Sequence, residues 1–138
     1  MTSLHSPPTY AVFVLSGSRL LVSRLIRTLQ TMDGFRLTGH AKDGVSGLLA
    51  IQRDRPDAVL YELPACRPLP LDVLSALRAQ DAPPQVIALT DSMALAVRQA
   101  CLTAGATHCF DKTLEYDRLR ATLYGLRMEK QRGRLPAR

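Results

Sequence analysis

Five short β-type runs, the second and fifth weaker than the others and each followed by a stretch of helical spacing, leave this chain few folds to choose from. The runs are Tyr10–Leu15, Phe35–Ala41, Ala58–Tyr61, Gln85–Leu89 and His108–Phe110. The first, third and fourth are almost wholly apolar, as expected of strands covered on both faces. Between them, Val22, Leu25, Ile26 and Leu29 recur at i, i+3, i+4 and i+7 behind Ser18, a good N-cap. Asp43 caps a second expected helix, with Val45, Leu48 and Leu49 facing inward. A third starts near Pro70 and carries Leu71, Leu74 and Leu77. A fourth starts near Asp91 or Ser92, with Ala94, Val97, Cys101 and Ala104 as its stripe. The last uses Tyr116, Leu119, Leu123 and Leu126. Strands alternating with helices imply right-handed crossovers and one parallel sheet with helices on both faces. Val12, Val14, Val59, Leu60, Ile87 and Leu89 should then be buried. The functional site should lie at the carboxyl ends of the strands: Ser16–Ser18, Glu62–Pro64, Thr90–Asp91 and Asp111–Thr113.

The chain has 138 residues, 46% of them apolar, which suits one domain with a real core. No apolar run approaches the roughly 18 residues a membrane helix needs. Met1–Pro8 has neither a basic nor an apolar segment of the kind a signal peptide carries, and is expected to be a disordered N-terminus. Cys66, Cys101 and Cys109 show no paired spacing, which fits a reduced, cytoplasmic protein. Cys101 and Cys109 read as inert core thiols and Cys66 as an exposed loop thiol. The net charge of +6 is concentrated: the twelve positions from Arg127 hold +4 and residues 1–126 only +2. Residues 128–138 are therefore expected to form a basic tail behind a domain at 9–127. A tail without aromatic residues offers weak phosphate contact at most, so nucleic acid is not the expected partner.

The segments at the strand ends resemble those of the receiver domain of two-component response regulators, from about Tyr10 to Leu126. Pro56-Asp57-Ala58-Val59-Leu60-Tyr61-Glu62-Leu63 is similar to the family's third strand, and Val86-Ile87-Ala88-Leu89-Thr90 to its fourth. Ala104-Gly105-Ala106 with Lys112 six residues on, and Gly39-His40-Ala41-Lys42-Asp43-Gly44, complete the set. The resemblance implies a flavodoxin-like (CheY-like) α/β fold, a doubly wound five-stranded parallel sheet, (βα)5.

In that family an acidic pair after the first strand and an aspartate after the third hold magnesium. The aspartate takes a phosphoryl group whose oxygens meet a threonine and a lysine. A carboxylate attacking an anionic phosphoryl group needs such a metal to offset charge. Here the acidic pair falls on Ser16 and Gly17, and the acceptor on Glu62, while Thr90 and Lys112 are kept. Leu69-Pro70 replaces an aspartate-glycine pair, Cys109 an aromatic switch residue and Thr113 a proline. The resemblance is thus to a degenerate pseudo-receiver, with Ser16, Gly17, Glu62, Thr90, Asp91 and Lys112 forming a remnant pocket. Magnesium is not expected there, and no cofactor is implied. Glu62 is expected to pair with Lys112 and Thr90, and Asp91 to cap the fourth helix.

The function that follows is a single-domain signalling module without catalytic activity, not phosphorylated. It would act by protein–protein interaction with a histidine kinase, an effector or a second copy. No output domain is expected in the dozen residues after the last helix. The resemblance directs attention to the fourth helix, fifth strand and fifth helix, around Arg98, Asp111, Asp117, Arg118 and Tyr124. Two alternatives stand beside this reading: an atypical phospho-accepting receiver, and a regulator that touches nucleic acid through its tail.

Overall fold

The computed structural model describes residues 9–64, 66, 68–92 and 94–133. Ten elements alternate strictly: β1 Tyr10–Leu15, α1 Arg19–Gln30, β2 Phe35–Ala41, α2 Gly44–Asp54, β3 Ala58–Glu62, α3 Asp72–Arg78, β4 Gln85–Thr90, α4 Leu95–Ala104, β5 His108–Asp111 and α5 Tyr116–Gly133. All five strands pair in parallel, in the order β2-β1-β3-β4-β5. The order reverses between β1 and β3, which makes their carboxyl ends the switch point. Ser16 follows one of those strands and Glu62 ends the other.

The apolar strands bury both faces. Alternate residues such as Val12, Val14, Leu60 and Ile87 pack with Leu25, Leu119 and Leu123 beneath α1 and α5. Their neighbours Phe13, Leu15, Val59 and Tyr61 pack with Ile51, Leu74 and Cys101 beneath α2, α3 and α4. The six positions expected in the core are each at most 1% exposed.

Helix starts follow the capping rules where a cap exists. Ser18 accepts from the Leu21 N–H and Asp43 from the Ser46 N–H. The other two expected starts move inward. Helix α3 begins at Asp72 behind Leu71 and α4 at Leu95 behind Ala94, neither with a side-chain cap. Asp91 is thus no helix cap.

The inward face expected for α2 is also corrected. Val45 and Leu49 are 81% and 68% exposed, Leu48 is half-buried, and the buried residues are Gly47 and Ile51. A Cβ at Gly47 would lie 2.7 Å from Leu15 Cδ1. The helix rests on the sheet through the residue with no side chain, which turns Val45 and Leu49 outward.

Residues 128–133, expected in the tail, are the last turns of α5. Lys130 Nζ lies 2.7 Å from Asp57 Oδ1, ahead of β3. The expected disordered segment 1–8 and positions 134–138 of the tail lie outside the described residues. No helix among the described residues is long and apolar enough to cross a membrane.

Candidate functional site

Three strand ends converge on one carboxylate. Glu62, its side chain 11% exposed, sits at the end of β3 with both oxygens engaged. Ser16 donates its hydroxyl to Oε1 at 2.5 Å, and Lys112 donates its ammonium to Oε2 at 2.6 Å. The hydrogen bond that Lys112 donates to Glu62 holds the lysine above its ordinary pKa, against the opposing effect of burial. The Ser16 oxygen also accepts from the Ser18 N–H at 3.0 Å, which ties the carboxylate to the first turn of α1. Ser16 is 5% exposed, so this hydroxyl must find partners inside the protein, and it does.

The remaining pocket residues are placed differently. Gly17 is exposed beside the carboxylate, and Asp91 is exposed across from Lys112; both line the same cleft. Thr90 is buried, but its oxygen accepts from the Ser92 N–H at 3.0 Å. No hydrogen bond joins Thr90 to Glu62 among the described residues, so the expected three-way contact is a contact of Glu62 with Lys112 and Ser16 instead. Cys109 is 6% exposed on β5 beside Cys101, and burial first, then Cys101, pushes its thiol up to about 12. It stays a protonated core thiol.

The α4–β5–α5 face also differs from its sequence reading. Asp111 is 5% exposed. Its Oδ1 accepts from the N–H groups of Leu114 and Thr113 at 2.7 and 2.8 Å, which keeps the carboxyl below the usual range. It organises the β5–α5 loop. Tyr124 meets Phe35 of β2 edge-on at 5.4 Å, near the opposite edge of the sheet, and so leaves that face. Arg98 donates to the Cys109 carbonyl at 3.3 Å and pairs with Glu115. Glu115 accepts from the Asp111 N–H at 2.9 Å and from Arg118 at 3.3 Å. Asp117 and Arg118 are exposed. Sequence reasoning missed the structural roles of Glu115, which meets Arg98 and the Asp111 N–H, and of Asp57, which meets Lys130 and the Ala11 N–H.

The groups these residues offer to magnesium are few. Magnesium takes six oxygens in a near-octahedral shell, with one or two carboxylates among them. At this switch point Gly17 has no side chain, Ser16 spends its proton on Glu62, and both Glu62 oxygens are taken, one by a cation. Among the described residues no group of three or more His, Cys, Asp or Glu side chains could hold a metal ion.

A family model, the response regulator receiver domain, matches residues 12–124. The chain belongs to the response regulator receiver family. Solved structures agree with this placement. The signal receiver domain described as that of NarL from Mycobacterium tuberculosis is 22% identical, with a TM-score of 0.76 over 87% of this chain and 98% of that one. A LuxR-family two-component response regulator from Aurantimonas sp. SI85-9A1 is 16% identical, with a TM-score of 0.78 over 88% and 86%. The response regulator domain of Thermotoga maritima CheB is 17% identical, with a TM-score of 0.70 over 90% and 97%. At such identities the likeness is one of fold. No curated protein matches the sequence. This receiver domain therefore has a two-component signalling fold in whose strand-end pocket a glutamate meets a serine and a lysine.

Proposed function

We propose that this receiver domain signals without phosphoryl transfer, as a preset module that binds a protein partner in the cytoplasm. The observation that carries the reading is the closed triad of Ser16, Glu62 and Lys112. An acceptor carboxylate needs one oxygen free to attack and another to share with a metal. In Glu62 each oxygen already accepts a hydrogen bond, and one of the two donors is a lysine that offsets its charge. The glutamate is one methylene longer than aspartate and reaches toward the lysine with a single negative charge. The salt bridge thus replaces, within the protein, a contact that a phosphoryl group makes in the family. No bond needs to form for Lys112 to be held in one position.

Beryllofluoride with magnesium tests this directly. A specific ligand at 100 times its dissociation constant adds about 2.7 kcal/mol, several degrees in a domain of this size. The expected result is an unchanged melting temperature. A rise that Glu62→Ala abolishes would overturn the proposal.

A further inference from the structure

The closed triad is only the floor of a larger space. Above it lies an open cleft of about 820 Å3 between the first turns of α2 and α3. Small-molecule sites typically measure about 300–1,000 Å3 and combine apolar walls with a few convergent polar groups. The walls here are Val45 and Leu48 of α2, Val73 and Ala76 of α3, and Pro64 and Pro70 of the β3–α3 connection. Val45 is 81% exposed at this rim, an aliphatic group left in water.

One polar group beneath those walls makes no hydrogen bond among the described residues. Tyr61 is 5% exposed and lines the cleft, yet its hydroxyl makes no hydrogen bond among the described residues. Burial, and after it the Asp72 carboxylate, push the phenol up to about 12, so it stays neutral and can both donate and accept.

Charge narrows the choice of ligand. The lining holds four carboxylates, Asp43, Glu62, Asp72 and Asp91, against two ammonium groups, Lys42 and Lys112. Lys112 is spent on Glu62 and Asp43 on the first turn of α2. Asp72, beside the tyrosine, makes no ion pair among the described residues.

The geometry points to a binding site for a small hydrophobic amine, its ring system between α2 and α3 and its ammonium group on Tyr61 and Asp72. This rests on the reading of a cleft free of phosphoryl chemistry, because magnesium and a phosphoryl group would need the same space. The ligand would bridge two helices that flank the switch point.

A titration of the full chain with 2-naphthylmethylamine, followed by fluorescence anisotropy without magnesium, tests the site. The chain has no tryptophan to interfere with the naphthyl signal. The expected result is saturable binding about tenfold or more tighter than that of 2-naphthoate, which carries the opposite charge. Ala76→Arg, at an exposed wall position, should abolish binding. Tyr61→Phe and Asp72→Asn should each weaken it by about three- to tenfold. Equal binding of the naphthoate, binding that survives Ala76→Arg, or no saturable binding at millimolar amine would each overturn the proposal. The two readings fail separately. The beryllofluoride melt is done without amine and the titration without magnesium, so either can fail while the other holds.

Discussion

At the scale of single residues, the receiver pocket is an ion pair with a serine brace. Glu62 and Lys112 are 11% and 31% exposed. That places the pair between an exposed contact, worth about 0–1 kcal/mol, and a buried one, whose breaking costs about 3–5 kcal/mol. A double-mutant cycle of Lys112→Met and Glu62→Ala in urea should give a coupling of about 1–2 kcal/mol. A coupling of zero would mean that the contact contributes nothing to the folded state. Glu62→Gln alone should cost less than Glu62→Ala, because the amide oxygen still accepts from Lys112 or Ser16. Titration gives a second handle. Lys112 is held above 10.5 in the fold, so its contribution is complete below that value and is lost as pH rises through the folded pKa. Asp111 and Glu115 are held below 3.8 and 4.5, so their contributions exist above those values and vanish as pH falls. Stability measured by urea unfolding should be level between these limits and drop on both sides, with a shallower acid limb in Asp111→Asn. An acid limb unchanged by that substitution would remove Asp111 from the account. The positions of Glu62 and Lys112 were legible in the sequence because strand-end motifs announce them. The bond from Ser16 was not, since a serine in place of a carboxylate shows what is missing and not what it will touch. Thr90 likewise turns to the Ser92 N–H, a local choice open to any threonine at a helix approach.

At the scale of elements, the sequence and the structure agree where periodicity speaks and part where it is silent. Strands β1 and β2 begin and end where their β-type runs do, and Ser18 and Asp43 start their helices. Helices α3 and α4 start late because no side chain caps them. The face of α2 was misread because Gly47, the residue that touches the sheet, contributes nothing to an apolar pattern. Helix α5 outruns its expected end for a different reason. Lys130 reaches Asp57, whose other role is to accept from the Ala11 N–H at 2.7 Å. One carboxylate thus fastens the last turns of α5 to the amino ends of β1 and β3, a contact 73 positions apart that no local pattern encodes. Asp57→Ala should cost about 1–2 kcal/mol, since it leaves a backbone donor and a lysine without their partner. Amide exchange should then speed up at residues 127–133 and stay unchanged in α1. Equal protection of those amides in both proteins would show that the contact does not hold the helix.

At the scale of the whole molecule, the fold was legible and its chemistry only in part. The alternation of strand and helix patterns, with a right-handed crossover rule, leaves little freedom in the sheet, and β2-β1-β3-β4-β5 is the order seen. That order brings Ser16, Glu62 and Lys112 together from three separate strand ends. The cleft above them was not legible, because its walls come from the first turns of two helices whose starts and faces the sequence placed differently. The +6 charge also changes meaning once located, since Lys130, one of the basic residues near the end, is an internal tether. The central claim is the proposal that the strand ends signal without phosphoryl transfer. Its most direct test is the intact mass of the protein after incubation with acetyl phosphate and magnesium. The expected result is an unchanged mass over hours, in the parent chain and in Glu62→Gln alike. A gain of one phosphoryl group in the parent chain, absent from Glu62→Gln, would contradict it.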